Sequence, residues 1–246
     1  MNDRIWSTGA DLEAAYDAAT DAVAAGQVIV LPTDTVYGAG ADALNAEAVQ
    51  RLLDAKQRGR EFPPPVLVAE VPMLRALAEG VDDRVRALAE AFWPGALTLV
   101  LRSAPTLRMD LGDRGDTIAV RVPDHDLTRE LLRRTGPLAV SSANVHGADA
   151  ALTAEDAAAQ LGDAVAVYLD GGPGSGPVPS TIVDLTGEQA RVLREGRITV
   201  ADLNNAVPGL IPEPEPGAAE PEASVPAEAV PEQVAQGEAA PEEGSA

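Results

Sequence analysis

The chain reads as an α/β domain with a mixed sheet covered by helices, followed by a segment unable to pack on itself. Three observations carry this reading. Stretches with helical spacing of apolar residues alternate with short apolar runs of strand length. The connections are short and marked by glycine, proline or capping residues. From Pro208 onward the composition turns to Pro, Glu, Ala and Gly, with few large apolar side chains to offset chain entropy. The boundaries that follow are a domain over 1–207 and an acidic tail over 208–246, which is expected to be disordered.

The elements follow in order. Asp11 to Ala25 has helical spacing and stops at Gly26, and Gln27 to Leu31 reads as a buried strand. The stretch from Pro32 to Gly40 reads as a loop, tight enough to need glycine dihedrals at Gly38 and Gly40. Asn45 can cap a helix with Ala48, Val49, Leu52 and Leu53 on one face, running to Lys56. Pro63 to Pro65 close that region, and Val66 to Ala69 is a short strand. Helices are predicted over Pro72 to Glu79 and Asp82 to Phe92, and strands over Ala96 to Arg102 and Thr117 to Val122. A capped helix from Asp124 to Arg134 precedes the strand Pro137 to Ser141, which runs into Ser142-Ala143-Asn144. A helix over Thr153 to Leu161 follows, then strands over Val165 to Leu169, Thr181 to Leu185 and Arg191 to Arg194. A short helix, Val200 to Ala206, closes the domain. No internal repeat is visible.

Composition narrows the function classes. The 246 residues are 46% apolar and contain no cysteine, which excludes disulfides and thiolate metal sites. No apolar run approaches the ~20 residues that span a bilayer, and the start shows no apolar leader, so a cytoplasmic protein is expected. Of the net charge of −21, nine glutamates lie at or after Pro208, leaving −12 on the remainder. Nonspecific binding to nucleic-acid phosphates is therefore disfavoured, and an anionic substrate needs the few cations gathered in one place.

Lys56 is the single lysine beside seventeen arginines. An ammonium is a compact charge and a guanidinium a planar fork, so this choice suggests a point grip on phosphate; a stray residue on a solvated face is the bland alternative. Arg58 and Arg60 follow it closely. Ser141-Ser142-Ala143-Asn144, at a strand end, can donate to phosphate or ribose oxygens or simply be a polar exit. Thr117 and Arg121 lie four apart on one strand face. An arginine inside that apolar strand needs an anionic partner, either a substrate carboxylate or an internal aspartate. Ser180 and Arg194 complete the candidate set. No Walker loop, GxSxG elbow or paired-histidine metal spacing is present, and no protein metal site is expected. Gly38 to Ala43 matches a dinucleotide GxGxxA pattern on paper, which leaves a Rossmann-type oxidoreductase as a competing reading.

The motifs Leu31-Pro32-Thr33-Asp34-Thr35-Val36-Tyr37-Gly38, Lys56-Gln57-Arg58, Phe92-Trp93-Pro94-Gly95-Ala96-Leu97-Thr98, Ser142-Ala143-Asn144, Ser180-Thr181-Ile182-Val183-Asp184 and Leu193-Arg194-Glu195-Gly196 occur in this order. Over roughly Ala10 to Thr199 the chain resembles the short form of the Sua5/YciO/YrdC family. The resemblance implies a YrdC-like twisted mixed sheet with flanking helices around an open concave cavity. It implies synthesis of L-threonylcarbamoyl-adenylate from L-threonine, bicarbonate or CO2, and ATP, with release of pyrophosphate. The product would go to a tRNA threonylcarbamoyl transferase complex for modification of adenosine 37. By motif position, Lys56 and Arg58 would be catalytic and hold the ATP phosphates, with Arg60, Ser142 and Asn144 beside them. Thr117 and Arg194 would touch the nucleotide, and Thr35, Arg121 and Ser180 would hold threonine. Mg2+ would ride on the phosphates. The chain departs from the family where Ala69 lies near the position of a frequent histidine, and where His146-Gly147 replaces a frequent Ser-Gly pair. A non-catalytic nucleotide- or RNA-binding protein of the same fold is the second reading.

Overall fold

Val28 and Val30 belong to one apolar cluster, and Ile29 and Leu31 to another. This alternation along one strand shows a sheet buried on both faces, as expected when successive side chains point to opposite sides. The structure is a computed structural model that describes residues 4–9, 11–113 and 115–212. Its elements are β1 (Ile5–Ser7), α1 (Leu12–Ala24), β2 (Ile29–Leu31), β3 (Gly38–Asp42), α2 (Ala46–Ala55), β4 (Val66–Leu67), α3 (Leu74–Leu77), α4 (Asp83–Phe92), β5 (Leu97–Arg102), β6 (Thr117–Arg121), α5 (Asp126–Thr135), β7 (Leu138–Ser142), α6 (Ala154–Leu161), β8 (Val167–Asp170), β9 (Thr181–Asp184), β10 (Arg191–Arg194) and α7 (Val200–Ala206).

The strands form one mixed sheet in the order β1-β8-β2-β3-β7-β4-β6-β5-β9-β10. Parallel pairs (β1 with β8, β2 with β8, β4 with β6, β5 with β9) are mixed with antiparallel ones (β2 with β3, β3 with β7, β4 with β7, β5 with β6, β9 with β10). One face is covered by α1 and α5 through Ala15, Tyr16, Ala19, Leu131 and Leu132. The other is covered by α2, α4, α6 and α7 through Leu52, Leu88, Leu161 and Leu203. Side-chain caps start most of the longer helices: Asp11, Asn45, Asp82 and Thr153 each accept from a first-turn N–H, and Thr199 and Asp202 form a reciprocal capping box.

Four expectations need correction. Gly38 to Gly40 is not a loop but the first half of β3, and neither glycine has a positive φ. The glycines answer crowding instead, because a Cβ at Gly38 would lie 2.6 Å from Val140 Cγ1 and one at Gly40 would lie 3.0 Å from Leu31 Cδ2. A strand here, with no helix opening at Gly40, removes the structural basis for the dinucleotide reading. The expected helix over Pro72 to Glu79 is a 3-10 turn, Val71–Met73, followed by the single-turn α3. Helix α5 begins after His125, whose side chain makes no cap bond, so Asp124 is not its cap. Strand β1 lay below the length at which a pattern can be read. The tail reading falls outside the described residues from 213 onward. No helix among the described residues is long and apolar enough to cross a membrane.

Candidate active site

Helix α2 delivers the basic turn. Lys56 is its C-cap residue, where a cation meets the negative end of the helix, and Gln57 takes a left-handed φ of 52° that turns the chain outward. The Lys56 side chain is fully buried. Its Nζ donates to the backbone carbonyls of Ser142 (2.5 Å) and Asn144 (2.6 Å). The lone lysine therefore lies directly behind the Ser142-Ala143-Asn144 turn, braced against it from within the core.

That turn leaves the end of β7, which is held in register by β3 with Gly38 opposite Ser142. Ala143 N–H donates to Tyr37 O, and His146 N–H donates to Lys56 O. Asn144 is buried, and its Nδ2 donates to the carbonyls of Val145 (3.0 Å) and Ala148 (2.7 Å). Its Oδ1 is buried and finds no hydrogen-bond partner among the described residues. Arg58 Nη1 donates to Ser141 Oγ at 2.9 Å, and its guanidinium sits over the Phe62 ring. Arg60 is engaged with its own loop partners. It binds Asp110 at 2.6 Å, Gln50 at 3.1 Å and Asp113 at 3.6 Å, which ties the 110–113 loop to the basic turn.

A second cluster forms around Arg121 on β6. Its guanidinium is almost fully buried and donates to Asp34 Oδ1 (2.6 Å), Thr35 Oγ1 (3.1 Å) and Gly95 O (3.0 Å). Of the two partners left open by the sequence, the internal aspartate is present. Burial pulls the Arg121 pKa down from its ordinary value, and the Asp34 carboxylate opposes that shift. Asp34 Oδ1 also accepts from Asp124 N–H. Gly95, which follows the cis Trp93–Pro94 bond, is held by Val122 O.

Strand β5 lies between β6 and β9 and links this cluster to Ser180. Thr98 Oγ1 and Ser180 Oγ share a hydrogen bond at 3.0 Å, and Arg194 donates to Ser180 O and Oγ. Thr117 starts β6 opposite Arg102, on the same strand face as Arg121. Ala69 is buried, and Arg129 Nε donates to its carbonyl at 3.0 Å.

The Thr33–Tyr37 loop joins the two clusters. Thr35 receives Arg121 on one side, and Tyr37 O receives Ala143 N–H on the other. Thr33 Oγ1 stiffens the loop by donating to Val36 O and accepting from Thr35 N–H. The Tyr37 phenol is pushed up to about 12 by burial, so it stays protonated. It donates to Gly172 O at 2.6 Å and accepts from Gly171 N–H, tying the 171–176 loop to the same place. The structure thus joins Lys56 to Ser142 and Asn144, with Arg58 on the adjoining Ser141, and pairs Thr35 with Arg121 and Ser180 with Arg194. Sequence reasoning assigned no role to Asp34, Thr98, Tyr37, Phe62 or His146. Asp34, Tyr37 and Thr98 lay inside quoted motifs, which was the signal available; His146 was marked only as a departure from the family pattern, and Phe62 had no signal. Among the described residues no group of three or more His, Asp or Glu side chains could hold a metal ion.

The family model Sua5/YciO/YrdC, described as "Telomere recombination", matches residues 21–196. A protein of Mycobacterium tuberculosis (strain ATCC 25618 / H37Rv) is 52% identical over 181 residues, spanning 74% of this chain and 83% of its own. The threonylcarbamoyl-AMP synthase of Bacillus subtilis (strain 168) is 38% identical over 183 residues, spanning 74% of this chain; the chain covers 53% of that longer relative. Among solved structures, P. abyssi Sua5 complexed with L-threonine superposes with a TM-score of 0.76 at 31% identity, covering 80% of this chain and 58% of that one. With one family model matched across most of the domain and the same mixed sheet in a solved relative, the chain belongs to the Sua5/YciO/YrdC family.

Proposed function

We propose that the protein is a threonylcarbamoyl-AMP synthase, a nucleotidyltransferase that makes L-threonylcarbamoyl-adenylate from L-threonine, bicarbonate or CO2, and ATP. The observation that carries this reading is the single loop, Thr33–Tyr37, bonded to Arg121 on one side and, on the other, to the Ser142–Asn144 turn that Lys56 braces. A reaction that joins a small carboxylate-bearing amine to a nucleotide needs two anion sites held at a fixed separation.

In this reading, Arg58 grips the triphosphate, with Ser142 and Asn144 beside it, and Arg194 and Thr117 meet the nucleotide. Lys56 adds its charge from behind the turn and holds two of the turn's carbonyls. Arg60 supports the phosphate side through the 110–113 loop. Arg121, Thr35 and Ser180 hold threonine. The Arg121–Asp34 pair suits an amino acid, because the guanidinium keeps donors for a carboxylate while Asp34 offers an acceptor to the amine.

The chemistry asks little of side-chain nucleophiles. The threonine ammonium gives one proton to solvent; its nitrogen then bonds to the carbon of CO2 as a C=O electron pair moves onto oxygen, and loss of a second proton from nitrogen to solvent leaves a carbamate. A carbamate oxygen then attacks the α-phosphorus, the bond to the bridging oxygen breaks, and pyrophosphate leaves with the electron pair. Charge grows on phosphoryl oxygens, so positioned cations and in-line geometry are the main requirement. The described side chains form no metal cage. In this reading Mg2+ enters as part of the MgATP substrate, carried by phosphate oxygens and water. The adenylate would pass to a tRNA threonylcarbamoyl transferase complex.

Mass spectrometry of mixtures of ATP, threonine and bicarbonate tests the proposal. The adenylate and pyrophosphate should form only when all three are present. Binding of ATP without pyrophosphate release would favour a non-catalytic nucleotide-binding protein of the same fold.

A further inference from the structure

Arg58 stands on a turn rather than on a helix or strand, yet its guanidinium is held. Nη1 meets Ser141 Oγ at 2.9 Å, and the guanidinium carbon lies 5.2 Å from the centre of the Phe62 ring. The Phe62 ring is in turn 5.4 Å from the His146 ring, with 33° between their planes. Phe62 is half-buried and His146 exposed, so this ladder runs from the site toward solvent. The backbone repeats the connection, because His146 N–H donates to Lys56 O. The basic turn and the Ser141–His146 turn are thereby fastened together twice, by Lys56 inside and by the rings outside.

An arginine side chain carries about 2 kcal/mol of rotamer entropy, and its planar fork recognises phosphate only in a fixed orientation. A ring face against one side of the guanidinium restricts that freedom without occupying the plane of its N–H groups. We infer that Phe62 and His146 are positioning residues for the triphosphate site, a ring pair that holds the Arg58 guanidinium in the plane in which it meets phosphate. The inference rests on the reading of Arg58 as the phosphate grip.

Inorganic pyrophosphate is the discriminating probe, because it has phosphates and no base. Its binding, and that of ATP, is measured by titration calorimetry on the full chain for Phe62→Ala, His146→Ala, His146→Phe and Arg58→Ala, with steady-state KM values for ATP and threonine. His146 is exposed, so its variants keep the fold even if Phe62→Ala does not. Removing Phe62 should weaken pyrophosphate binding roughly two- to fivefold, the range for one cation–π contact at a partly exposed site; removing His146, which acts through Phe62, should weaken it in the same direction by a smaller factor. KM for ATP should rise in proportion, KM for threonine should stay constant, and His146→Phe should restore both. Unchanged pyrophosphate binding in His146→Ala overturns the inference. A loss confined to ATP overturns it too, since the ring would then be stacking on the nucleobase. If Arg58→Ala binds pyrophosphate normally, the phosphate assignment itself falls, which separates that failure from failure of the ring pair alone.

Discussion

Lys56 shows why one ammonium survives in a chain of arginines. Two backbone carbonyls converge on a single nitrogen in a fully buried place. A guanidinium spreads its donors over a plane too wide for that point. Lys56→Ala should cost about 2–4 kcal/mol in the transition state, the loss expected for one key electrostatic donor, read as a fall in adenylate formation. Lys56→Arg keeps the charge and should still be impaired; normal turnover in both variants would remove Lys56 from the mechanism. Because Lys56 is the only lysine, amine acylation followed by peptide mapping, which separates it from the N-terminal amine, reports on it directly. The folded protein should resist modification there, and the unfolded protein should not. The buried Arg121–Asp34 pair makes a related point, since removing one partner strands the other. Asp34→Ala should lower stability by about 3–5 kcal/mol in denaturant titration, with the midpoint shifting and the slope unchanged.

At the scale of elements, β3 sets the distance between β2 and β7, and hence the position of the Ser142–Asn144 turn. Gly38→Ala would press a methyl against Val140 and should destabilise by about 1–3 kcal/mol, the usual range for overpacking. An unchanged unfolding midpoint would show that Val140 yields freely. The start of α5 carries a pH dependence. Burial lowers the His125 pKa, with Asp34, Asp126 and Asp124 opposing, and His125 Nδ1 is buried with no partner among the described residues. The unfolded histidine binds its proton near pH 6.5, and the folded one only at lower pH. Over that interval the unfolded state holds more protons, so stability rises with pH and falls as the solution is acidified below about 6.5. Thermal midpoints between pH 7 and pH 5 should drop more for the native protein than for His125→Gln. Parallel curves would assign the dependence to other groups.

For the whole molecule, charge decides how an anionic substrate is found. The chain carries −21 overall, so its cations act locally and not as a broad attractive face. Among the described basic groups, many are committed to carboxylates on the surface, including Arg129, Arg133 and Arg134 with Glu70, Glu130 and Glu13. Unmodified tRNA should therefore show no mobility shift with the protein at physiological salt, where phosphate contacts are already weakened by counterions. A tight, salt-sensitive complex would demand a basic surface not evident from these pairings.

The sequence alone determined the α/β class, the order of most elements, the motifs and the family resemblance, because these depend on local periodicity, capping residues and motif order. It also marked Arg121 as needing an anion, since an arginine in an apolar strand cannot stay unpaired. It misread Gly38–Gly40, where the need for glycine comes from Val140 and Leu31 across the sheet and not from local dihedrals. Only the tertiary structure decided that Asp34 is the partner of Arg121, that Lys56 points inward to two carbonyls, that Arg60 turns to Asp110, and that Phe62 and His146 flank one another. Each of these joins residues separated by tens of positions along the chain, and what brings them together is strand pairing and burial, which no local pattern encodes.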